Sequence, residues 1–152
     1  MYYDISGATE ADLRAQLNTF GPVGYDGYKG DSTTHWFIGW NWPGYGESSC
    51  QQSDVTLSYD IQVIFPRWTP PENTSPALVA KWVSYTRLLA EHEEGHVDFI
   101  MANYLSVAGA IKRATCESAE AAAQAALASL RQHDVDYDAA TSHGETQGAR
   151  FP

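Results

Sequence analysis

Three features of the sequence predict an α+β fold in which a small antiparallel sheet packs against helices. Residues 33–42 (TTHWFIGWNW) and 55–65 (VTLSYDIQVIF) alternate apolar and polar at the period of a strand. From Ser75 onward an apolar stripe recurs at helical spacing over several turns. No repeat or interdomain linker separates these segments, and 152 residues suit one core, so a single domain over 1–152 is expected.

In chain order, the opening YYDISGATEADL reads as polar and helix-forming rather than as a leader. Residues 9–20 form a helix, with Thr9 as cap, acidic residues in the first turn, and Leu13, Leu17 and Phe20 on one side. GPVG ends it. In the first strand Trp36, Ile38, Trp40 and Trp42 share a face, opposite His35. In the second, Val55, Leu57, Tyr59, Ile61, Val63 and Phe65 do the same. PRWTPPENTSP is a proline-broken connector. Ser75 as cap and Pro76 at the first helical position then start a long helix running to about Arg113. An alanine-rich second helix follows over about 117–132, and the tail has turn chemistry without periodicity.

The composition, 43% hydrophobic and 18% charged, is that of an ordinary globular protein, with no apolar run long enough for a membrane span. The net charge of -10 would repel a phosphate backbone, which argues against nucleic acid as a partner. Cys50 and Cys116 are the only cysteines, and no ligand or nucleophile pattern surrounds them. They are either buried free thiols or a disulfide closing a long loop, and spacing does not choose between the two.

The chemistry is expected at AEHEEGHVDF, residues 90–99. Four residues make slightly more than one helical turn, so His92 and His96 project from one face. Both imidazoles can then reach one ion at about 2.0–2.1 Å. Glu93, roughly a third of a turn away, can touch a water beside that ion. Gly95 is a poor helix former, which suggests that something packs closely against the helix there. The competing reading is a solvated acidic face, since Glu91, Glu93, Glu94 and Asp98 crowd the same stretch. The long helix inferred independently is the context a zinc motif requires.

Two imidazoles need a third ligand. His35 reads as a strand residue, and His133 sits where a helix end favours a cation. His143 lies in YDAATSHGETQG, a tail without an apolar stripe, and the glycine after it permits close backbone approach. It is the expected third ligand. Asp138 is its rival, or else an outer partner that orients an imidazole. Tyr137 is a candidate donor to a developing oxyanion, against the plainer reading of a core tyrosine.

With the opening YYDISGAT, HWFIGWNW, FPRW, HEEGH, the two cysteines and the terminal YDAATSHGETQGA, nearly the whole chain resembles a bacterial family of unknown function labelled predicted secreted zinc-dependent proteases. The resemblance implies a zincin-like fold, export to a secreted or periplasmic location, and a Cys50–Cys116 disulfide. The expected function is that of a zinc peptidase. One Zn²⁺ is held by His92, His96 and His143, Glu93 acts as general base, and a peptide or protein is the substrate. A zinc-stabilised binding protein without turnover is the alternative, as is a metal-dependent amidase acting on cell-wall peptides.

Overall fold

The computed structural model describes residues 1–152, in an α+β arrangement. Strand β1 covers Tyr2–Ile5, helix α1 Glu10–Phe20, β2 Thr33–Asn41 and β3 Thr56–Trp68. Helices α2 (Pro76–Asn103), α3 (Leu105–Arg113) and α4 (Ala119–Thr141) follow, and a short 3₁₀ turn spans Glu145–Gln147.

The three strands form one sheet in the order β1-β3-β2. β1 runs parallel to β3, with Tyr2 opposite Phe65 and Ile5 opposite Trp68. Along β2 and β3 the contacts descend, Gly39 facing Ser58 and Asn41 facing Thr56, as in an antiparallel pair. The sheet is therefore mixed, which corrects the antiparallel expectation. The difference comes from β1, where four residues with only Ile5 buried carry too little alternation to announce a strand. β3 also continues through Pro66 and Arg67 to Trp68, a stretch expected to be a connector. By the register of Gly39 and Asn41, β2 runs out beside Ile64. The missing N–H of Pro66 then costs no bond on that side.

Thr9 caps α1 through a reciprocal box, its hydroxyl accepting from Asp12 N at 3.2 Å while Asp12 accepts from Thr9 N at 3.1 Å. Leu13 and Leu17 are fully buried, whereas Phe20 turns to solvent. Ser75 Oγ accepts from Leu78 N at 3.2 Å, and α2 starts at Pro76 as expected. The helix does not run unbroken to Arg113. Asn103 Nδ2 donates to the Phe99 carbonyl at 2.8 Å, and the chain restarts as α3 after Tyr104. α4 overruns its expected end near 132 by nine residues, so His133 lies inside the helix rather than at its C-terminus.

By contacts the chain divides into two compact units. The first comprises Met1–His35, Gln62–Val97 and Tyr137–Pro152. Its core joins Leu13 and Leu17 to Trp68, Trp82, Tyr85, Leu89 and the C-terminal Phe151. The second comprises Trp36–Ile61 and Asp98–Asp136. There Trp36, Ile38 and Trp42 pack with Ile100, Val107, Ile111 and the alanine face of α4, and Cys50 is disulfide-bonded to Cys116. In this unit His133 stacks on Phe99. No helix is long and apolar enough to cross a membrane.

Candidate metal centre

All of the residues at issue belong to the first unit. α2 supplies His92, Glu93 and His96, each no more than 6% exposed. The last turn of α4 supplies Tyr137 and Asp138. Beyond it Ser142 and His143 take left-handed backbone angles, φ 50 and φ 52, followed by Gly144 at φ 82. These three turn the chain back onto α2. A Cβ at Gly144 would stand 2.9 Å from His92 Cγ, so both the backbone angle and the packing require glycine.

Asp138 Oδ1 lies 3.2 Å from His92 Nε2 and 3.1 Å from His96 Nε2. Ligands bonded to one tetrahedral zinc at about 2.0–2.1 Å stand about 3.3 Å apart, so both distances from Asp138 nearly match that spacing. Burial raises the pKa of Asp138, but hydrogen bonds from His92 and His96 and the nearby imidazole charge outweigh it. Its carboxyl is held well below the usual carboxylate range.

The surroundings of His92 suit the tautomer whose Nδ1 carries the proton. Tyr137 donates its hydroxyl proton to the His92 carbonyl at 3.4 Å, and Gln147 Nε2 donates to that hydroxyl at 3.1 Å. Gln147 therefore presents Oε1 to His92 Nδ1 at 2.9 Å, and Nδ1–H donates to it. A neutral His92 then turns the lone pair of Nε2 toward a carboxylate oxygen. Two acceptors 3.2 Å apart need a cation between them, either a proton or a metal ion. The donor set fits a divalent ion that accepts nitrogen and oxygen ligands.

Tyr137 also stacks on His92 at 5.2 Å between centroids and meets His96 edge-on at 4.8 Å. Its hydroxyl passes directly over Gly95, where a Cβ would be 2.4 Å away. This is the close packing that the glycine suggested. Glu93 accepts hydrogen bonds on both carboxylate oxygens, from Ser32 Oγ to Oε1 and from Thr34 Oγ1 to Oε2, the latter at 2.6 Å.

His143 lies one carboxylate further out. Its Nδ1 is 3.8 Å from Asp138 Oδ2, its Nε2 is 3.9 Å from Asp26 Oδ2, and its ring stacks on Tyr28 at 3.7 Å. His92, His96 and Asp138 thus form one cluster of potential ligands, and Asp26, Asp138 and His143 a second. His35 is elsewhere, near the Val23 carbonyl and tilted against Tyr25.

Sequence reasoning missed Ser32, Thr34 and Gln147. The first two had a signal, because strand alternation extends the face of Trp36 and Ile38 backward to positions 34 and 32. Gln147 had none, since nothing local to it announces which helix the tail will meet.

A family model described as a bacterial protein of unknown function (DUF922) matches residues 1–144. The chain belongs to this family. Searches among curated proteins and among solved structures gave no match to this DUF922 member.

Proposed function

We propose that this chain is a zinc-dependent peptidase with a zincin-like active-site helix. The observation that carries the reading is the meeting of two imidazole nitrogens with one carboxylate oxygen at 3.2 and 3.1 Å, beside a buried glutamate. His92, His96 and Asp138 would hold the ion. Zinc in such a cradle lowers the pKa of a water toward 7 and polarises a carbonyl. Glu93 accepts the proton of the attacking water and returns it to the leaving amine. Gln147 and Tyr137 hold the His92 ring and its tautomer. A disulfide in a chain of this size fits an oxidising, extracytoplasmic compartment.

The test is Glu93→Gln, with zinc content and peptide hydrolysis measured on protein purified without a histidine tag. Zinc should stay at one ion per chain while turnover falls by about 10²-fold or more. A variant that cuts a peptide library as fast as the wild type would remove Glu93 from the mechanism.

One observation favours a second reading, a closed structural zinc site without turnover. His143 is close enough to Asp138 that a side-chain rotation could add a fourth protein ligand. His143→Ala separates the two. Weakened zinc retention supports the closed site, and unchanged retention supports the peptidase.

A further inference from the structure

We infer that Ser32 and Thr34 are positioning residues that fix the plane and direction of the Glu93 carboxylate. This inference rests on the peptidase reading. Glu93 is 4% exposed, and each of its oxygens already accepts one hydroxyl hydrogen bond. A carboxylate offers about four lone-pair directions over its two oxygens. One donor would leave it free to swing about that bond. Two donors on different oxygens hold both its rotation and its tilt, and leave a defined lone pair on each oxygen for an incoming proton.

The donors are themselves anchored. Ser32 and Thr34 lie on one face of the chain entering β2, and Thr34 is buried. Immediately before them, Asp31 receives both guanidinium arms of Arg14 from α1 and the Tyr85 hydroxyl from α2 at 2.6 Å. The Asp31 carbonyl accepts from the Tyr3 hydroxyl at 2.6 Å. Bonds from β1, α1 and α2 therefore fix residue 31, and Ser32 and Thr34 carry that rigidity to the base. The hydroxyls also satisfy a buried charge, a purely structural service. The two roles differ in what they change: a positioning role acts on the transition state, and a structural one on stability alone.

The experiment compares Ser32→Ala/Thr34→Val with the wild type and with Thr34→Ser, which keeps the hydroxyl. Each is measured for zinc content, kcat and KM on a peptide substrate. The expected result is one zinc throughout, an unchanged KM, and a kcat lowered about 10–100-fold in the double variant. Thr34→Ser should stay within a few-fold of the wild type. An unchanged kcat in the double variant overturns the inference, and so does an equal loss in Thr34→Ser. A second measurement needs neither zinc nor turnover. In a double-mutant cycle of Thr34→Val with Glu93→Gln, followed by urea unfolding of metal-free protein, the two changes should be non-additive. Strict additivity overturns the clamp. If the wild type cuts no peptide, the peptidase reading falls, and the cycle still decides whether the hydroxyls hold the carboxylate.

Discussion

Gly95 shows how one missing side chain shapes the centre. An alanine there would improve helix propensity by about 1 kcal/mol. Its Cβ would also meet Tyr137 Oη at 2.4 Å and Cζ at 2.8 Å. That ring cannot easily give way, since it stacks on His92 and its hydroxyl joins the His92 carbonyl to Gln147. Overpacking costs about 1–3 kcal/mol, so Gly95→Ala should lower unfolding free energy by up to about 2 kcal/mol net, as read by urea denaturation. The sign should reverse in a Tyr137→Ala background, where the space is open and only the propensity gain remains. A Gly95→Ala variant more stable than the wild type by about 1 kcal/mol, the bare propensity gain, would show that Tyr137 does not lie over the helix.

At the scale of elements, α1, β1 and α2 are tied together at Asp31. Burial, the Asp31 charge and the bond to Asp31 raise the pKa of Tyr85 far above the usual tyrosine range. Burial and the same charge raise that of Tyr3, with Arg14 opposing. The folded chain thus keeps protons that the unfolded chain releases near pH 10. This contribution to stability is complete below about pH 10 and declines as the pH rises from there toward the folded values. The urea midpoint should accordingly fall at alkaline pH. In Tyr85→Phe the fall should be shallower, and stability at neutral pH lower by about 1.5–3 kcal/mol for the lost bond to a charged acceptor. Parallel alkaline profiles in the two proteins would contradict the assignment.

At the scale of the whole chain, the Cys50–Cys116 bond closes a loop of 66 residues. In the chain-entropy account such a cross-link is worth about 4 kcal/mol. Cys50→Ser/Cys116→Ser should therefore lower unfolding free energy by about that amount, measured by urea denaturation beside the oxidised wild type. The bond lies within the second unit, whereas the proposed ligands lie within the first. Both units are assembled from segments distant in sequence, which explains why no linker signal marked them.

Local chemistry alone was enough to place α1, the Ser75–Pro76 start of α2, the tryptophan face of β2, and His92, Glu93 and His96 on one helix. Each depends on neighbours within a few residues, and periodicity and capping report such neighbours directly. The parallel placement of β1 and the extension of α4 to Thr141 depend on partners that no local window contains. The same holds for Asp138. Only the tertiary fold turns the end of α4 so that this carboxylate, rather than His143, stands nearest the two imidazoles. The sequence carries both candidates at similar distance along the tail, and the physical choice between them lies in three left-handed residues and a tyrosine packed over a glycine.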